Sequence, residues 1–228
     1  MSLSIDRDRP SDAARRPVLC GEEVPKTGHI CAFFDSSTEK YEVLARYFND
    51  AIRSGDRVIN VVEERKRSDH VRGLTEAGVD LASAQKGGRF RLATCEETYF
   101  RDDRPDLDAV LDMLRDELQT AREQGSCVRT CGEMDWVARD PSLRERAMEY
   151  EARVNEIVPT FDCTMLCVYD IAQTPAPLIT DILATHPYAI IRGRLRANPW
   201  AVHPSTYIEM LRSPHAARPE LGPRHPSA

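Results

Sequence analysis

The chain has 228 residues, 41% hydrophobic and 30% charged, with a net charge of −6. That balance suits a globular protein and is too apolar for a wholly disordered one. It supplies no positive field for nucleic acid or an anionic membrane, and no run nears the roughly 18 apolar residues that span a bilayer.

In chain order, residues 1–27 are polar and carry Arg, Asp, Pro and Gly, so they read as a mobile lead-in. The opening MSLSIDRDRPSDAARRP has no apolar core of a secretory signal, and a cytoplasmic location is expected. One ordered domain is expected over 28–212. HICAFF (29–34) reads as a buried strand, followed by the polar turn DSSTEK and a helix carrying Leu44, Tyr47, Phe48, Ala51 and Ile52 on one face. RVINVV (57–62) is β-branched and reads as a central strand. A charged helix follows over 67–77, with His70 expected to be solvated, and then a strand RFRLATC (89–95). Pro105 and Asp106 open an amphipathic helix that presents Leu107, Val110, Leu111, Leu114 and Leu118 on one face.

CVRTC (127–131) is the next strand. Pro141 opens a helix with Leu143, Ala147, Tyr150, Val154 and Ile157 inward, and CTMLCVYD (163–170) is an apolar strand. A helix near 177–185 leads to His186-Pro187, YAIIRG reads as a late edge strand, and a short helix closes the domain. From Ser213 the sequence carries four prolines and almost no apolar residue, so 213–228 reads as a disordered tail. Strands alternating with helices predict an α/β fold: three layers around a mostly parallel central sheet.

Ligands of such sheets bind beyond the carboxyl ends of the strands. The first loop there, DSSTEK with Ser36, holds no glycine, and no GK[ST] triplet occurs in the chain, so a working phosphate-binding loop is not expected. Lys40, two residues past Thr38, leaves room for a vestigial role. Asp35 and Glu39 would repel an anion at the helix start. The loop CGEMDW (131–136) offers Glu133 as a base or hydrogen-bond acceptor and Trp136 as an aromatic wall, with Gly132 permitting close backbone approach. Core packing accounts equally well for Met134 and Trp136. VYDIAQTPAP adds Tyr169 and Asp170. A pocket walled by Trp136 and Tyr169 would favour apolar or aromatic ligands.

The seven cysteines of a cytoplasmic chain are expected to be reduced, and their odd number prevents complete pairing. Cys127/Cys131 and Cys163/Cys167 form two CxxxC pairs. Along one strand, residues i and i+4 lie about 13 Å apart, so neither pair alone clamps a metal. Were their strands neighbours, Cys131 and Cys167 could share a soft metal or a reversible disulfide, with Cys127 and Cys163 as weaker candidates; packing as small buried residues is the alternative. His29 reads as a strand-edge hydrogen-bonding residue, and His186 could line a pocket or cap a helix.

The order HICAFFDSSTEKYEVLARYFNDAIRSGDRVINVV, RTCGEMDW, CVYD, THPYAIIRGRLRANPW resembles the MEDS sensory domain, over about 28–200. The resemblance implies a RecA-like fold with a degenerate P-loop and no ATPase activity. It also implies recognition of a small molecule, one-carbon or hydrocarbon-like, relayed to a kinase, anti-sigma factor or transcription regulator. By motif match it nominates His29, Glu133, Trp136, Tyr169, His186 and Asn198 for a pocket or its scaffold, and brings no catalytic set. No histidine-kinase, ATPase or helix-turn-helix pattern follows Trp200, so action on a partner in trans, or some other role, is expected; a homo-oligomer is left open. The cysteines lie outside the family pattern and keep a second reading open: a thiol- or metal-dependent protein using Cys131 and Cys167 with Glu133 or a histidine.

Overall fold

The computed structural model describes residues 16–25, 27–102, 104–161 and 163–213. The elements are strands β1 (Val18–Leu19), β2 (Glu22–Glu23) and β3 (His29–Phe34), helix α1 (Ser37–Ser54), β4 (Arg57–Val62), α2 (Arg67–Glu76), α3 (Leu81–Lys86), β5 (Phe90–Thr94) and α4 (Cys95–Tyr99). They continue with β6 (Phe100–Arg101), β7 (Arg104–Pro105), α5 (Leu107–Glu123), β8 (Val128–Glu133), α6 (Asp135–Arg139), α7 (Arg144–Ile157), β9 (Cys163–Asp170), α8 (Ala176–Thr185), β10 (Tyr188–Ile191), β11 (Arg194–Ala197) and α9 (Pro204–Arg212).

Seven strands form the central sheet in the order β11-β10-β3-β9-β8-β4-β5, parallel except for the β10–β11 pair. Both faces are covered, which is why HICAFF and CTMLCVYD read as nearly unbroken apolar runs. On one face, Leu44, Phe48 and Ala51 of α1 and Leu74 of α2 pack with Ile30, Ala32 and Leu166. On the other, α5, α7 and α8 pack with Cys31, Phe33, Met165 and Cys167. The expected three-layer α/β architecture is the observed one.

Local chemistry sets the helix ends. Ser36 caps α1 by accepting from the Glu39 amide at 3.3 Å. Gly55, at φ 82°, ends it in the left-handed conformation that a side chain would strain. Thr94 and Glu97 form a reciprocal capping box at α4.

Three expectations are corrected. YAIIRG is not an edge strand: β10 lies between β3 and β11. Arg192 and Gly193, both at positive φ, make the tight turn that folds β11 back as the true edge. The strand begun at CVRTC runs on through Glu133, because Gly132 and Glu133 pair with Cys167 and Val168. Within the expected mobile lead-in, β1 and β2 pair as a hairpin, and Leu19 and Val24 are fully buried among the α1-face residues. Residues 1–15 of that lead-in, and the expected tail from residue 214, lie outside the described residues. No helix among the described residues is long and apolar enough to cross a membrane.

Candidate functional site

The carboxyl ends of β3 and β9, with the starts of α1 and α2, enclose a cleft of about 400 Å³. Its walls include Ser36, Lys40, Lys66, Asp69, Asp135 and Tyr169. Beneath it runs a buried ion network. The Lys40 ammonium reaches down from α1 to the Glu133 carboxylate, which the end of β8 holds 1% exposed. Lys66 Nζ meets Asp135 at 2.6 Å and Glu63 at 3.1 Å, and lies 3.8 Å from Glu133. Asp135 in turn accepts the Asp170 amide at 2.8 Å and so ties the start of α6 to the end of β9. Burial alone would lower both lysines, but Glu133 outweighs it for Lys40, and Asp135, Glu133 and Glu63 outweigh it for Lys66. Both remain ammonium ions. Burial raises Glu63, and its bonds from Arg139, Arg65 and Lys66 reverse this and hold it at about 2.

His70 belongs to this network and is not solvated. It is 1% exposed, with Nε2 2.7 Å from Asn60 Oδ1. Asn60 Nδ2 donates to the Cys131 carbonyl, so its Oδ1 accepts and His70 Nε2 carries the proton. Nδ1 is then a lone pair, 3.8 Å from Glu133, with no hydrogen-bond partner; Glu133 Oε2 has none either. Burial, then the charges of Lys40 and Lys66, depresses His70 to about 3. The network thus holds two buried acceptors that a small donor would satisfy.

Of the residues expected at a ligand pocket, Ser36 of the first loop, Glu133 and Tyr169 are brought to the cleft or its floor, and the Ser36 hydroxyl is engaged in capping. Trp136 walls a separate cavity of about 430 Å³ with Glu63, Cys95, Phe100 and Arg139, its ring between Tyr99 and Phe100. It therefore cannot share a ligand-facing wall with Tyr169. His29 and His186 lie in the core of the α7 face, their ring centroids 4.0 Å apart, beside Glu151. Asn198 is scaffold: its amide donates to Leu183 and His186 carbonyls at 2.6 Å.

The condition placed on Cys131 and Cys167 holds, and its consequence does not. β8 and β9 are neighbours, but Cys167 pairs with Gly132 and Cys131 with Leu166. Paired residues share a face and successive residues alternate, so Cys131 points to the α1 face and Cys167 to the α7 face. They cannot share a metal or a disulfide. Cys163 also faces α7, and neither Cys127 nor Cys163 belongs to the metal-compatible group found among the described residues. Cys20, Cys31, Cys95, Cys131, Cys163 and Cys167 are free thiols.

Sequence reasoning passed over Lys66, Asp135, His70 and Glu151. The spacing of the last two carried a signal. His70, Gly73 and Leu74 form the buried stripe of α2, and Glu151 sits between the inward Ala147 and Val154 of α7.

The family model described as MEthanogen/methylotroph, DcmR Sensory domain (MEDS) matches residues 28–187, from the turn before β3 to the residue before β10. The chain belongs to the MEDS family. A sensory role comes with that membership. No curated protein matches the chain. The matched stretch of this MEDS domain contains the cleft, the ion network under it and the histidine–glutamate cluster of the α7 face.

Proposed function

We propose that this MEDS domain senses a small polar molecule, neutral or cationic, in the cleft beyond β3 and β9, and signals its occupancy to a partner protein such as a kinase, anti-sigma factor or transcription regulator. One observation carries the ligand class. The cleft walls present the carboxylates of Asp35, Asp69, Asp135 and Asp170 against the ammonium groups of Lys40 and Lys66, and both lysines are already paired. Such a surface disfavours a polyphosphate. A glycine-free DSSTEK turn whose first serine, Ser36, is spent on capping agrees with this and with descent from a phosphate-binding loop. An alcohol or amine could donate to Asp170 or to the network below. A ligand that draws Lys40 or Lys66 upward changes what Glu133 and Asp135 hold, and so the seating of α1 and α6 on the sheet. Such a ligand shifts the equilibrium by no more than its difference in affinity for the two arrangements.

Thermal unfolding in the presence of methanol, methylamine, formate and magnesium-ATP tests the reading. The amine or the alcohol is expected to raise the melting temperature. Asp35→Lys and Asp69→Lys, both at exposed rim positions, are expected to abolish the response to the amine. Binding and hydrolysis of magnesium-ATP, lost in Lys40→Ala, would refute it.

A further inference from the structure

Four side chains with metal-ligating atoms meet in the core between the sheet and helices α7 and α8. They are His29 at the start of β3, Cys167 in β9, Glu151 in α7 and His186 just after α8, all buried, with the ligating atoms within 4.8 Å of one another. Glu151 Oε2 is 3.1 Å from His29 Nε2, 3.5 Å from His186 Nε2 and 3.5 Å from Cys167 Sγ; Cys167 Sγ is 3.5 Å from His29 Nε2. A tetrahedral ion with bonds of about 2.0–2.3 Å has edges of about 3.3–3.8 Å. The side chains therefore stand close to the separations such an ion imposes.

The histidine orientations are fixed from behind. Asn155 Nδ2 donates to the Glu151 and Thr185 carbonyls, so its Oδ1 is an acceptor, 3.1 Å from His29 Nδ1. His186 Nδ1 donates to the Ile182 carbonyl at 2.8 Å. Both rings thus turn Nε2 inward, in the manner of metal-bound imidazoles held by an outer partner. His186 Nε2 is buried and has no hydrogen-bond partner. A hydrogen-bonded core cluster gives no reason for that lone pair to face a carboxylate oxygen. Tyr169 donates to Glu151 Oε1 at 3.1 Å and orients the carboxylate.

We propose that His29, Glu151, Cys167 and His186 form a buried, four-coordinate site for a divalent ion of the zinc class. Imidazole, carboxylate and thiolate together suit zinc, and no side-chain position is left open for substrate. One carboxylate and one thiolate neutralise the ion, so the filled site leaves no net charge in the core. On binding, the bond to Sγ forms as the S–H bond breaks, and that proton, with any on His29 Nε2, leaves to solvent. Burial and the neighbouring Glu151 otherwise keep the Cys167 thiol protonated. The site is separate from the cleft and does not depend on the ligand proposed there.

The test is to express the full chain without a polyhistidine tag in medium supplemented with cobalt, so that the ion is present as the core closes. Metal content and the visible and near-ultraviolet spectrum of the purified protein are then measured. One cobalt per chain, with a thiolate-to-cobalt charge-transfer band, is expected. The band should vanish in Cys167→Ser and persist in Cys131→Ser and Cys20→Ser. Asn155→Leu, which keeps all four ligands and releases the His29 ring together with the Glu151 and Thr185 carbonyls, should weaken metal affinity about 10–100-fold. Metal-free wild-type protein overturns the assignment. So does cobalt bound without the thiolate band, or a band that follows Cys131 or Cys20 instead of Cys167.

Discussion

At the scale of single residues, the floor of the cleft is where small changes cost most. Removing the Lys40 ammonium leaves Glu133 buried beside only the more distant Lys66. Breaking one side of such a pair costs about 3–5 kcal/mol. Lys40→Met is therefore expected to lower the urea midpoint strongly, and Lys40→Met with Glu133→Gln to recover most of the loss. Gly132 offers a second case. A Cβ there would stand 2.5 Å from the Tyr99 hydroxyl oxygen. Gly132→Ala should destabilise by about 1–3 kcal/mol, the usual cost of overfilling a core. Tyr99→Phe in the same chain should relieve most of it, since the next nearest ring atom is 3.8 Å away. Urea denaturation of the two single variants and the double variant checks both directions.

At the scale of elements, α2 docks on β4 through a histidine that the fold keeps neutral. His70 is depressed from an ordinary 6.5 to about 3. Above pH 6.5 the folded and unfolded chains carry the same charge at this residue. Below it, the unfolded chain takes up a proton that the folded one refuses. Stability should then fall by up to about 1.4 kcal/mol per pH unit as the pH drops towards 3. Urea midpoints measured between pH 7 and pH 5 should decline less in His70→Gln than in the wild type. Strands β3 and β9 were legible to the residue because burial on both faces writes a nearly unbroken apolar run, and β4 because its apolar residues are β-branched. The turn at Arg192-Gly193 was not, since arginine is an uncommon residue at positive φ. Nor was the role of His70 or Glu151: composition marks a charged helix as solvated, and only the position of the residue on the inward stripe says otherwise. Which face a cysteine takes depends on sheet register, which one chain's sequence does not specify.

On the scale of the whole molecule, the folded unit is larger than the matched stretch 28–187. Leu19 and Val24 cover the α1 face, β11 closes the sheet edge beside β10, and Tyr207 of α9 is buried against the α7 side. A fragment limited to 28–187 would lose all of these, and with them β10. It is expected to unfold at lower urea and with a shallower transition than 16–213, measured by circular dichroism. The strand order could not be read from the sequence, because parallel partners are far apart along the chain. It is this order that sets β3 beside β9 and gives Tyr169 two neighbourhoods. Its strand end borders the cleft while its phenol holds Glu151. A ring that must satisfy both cannot be moved for one alone. Whatever factor an occupant above applies to the grip of the four side chains below, those side chains must apply in return to the occupant.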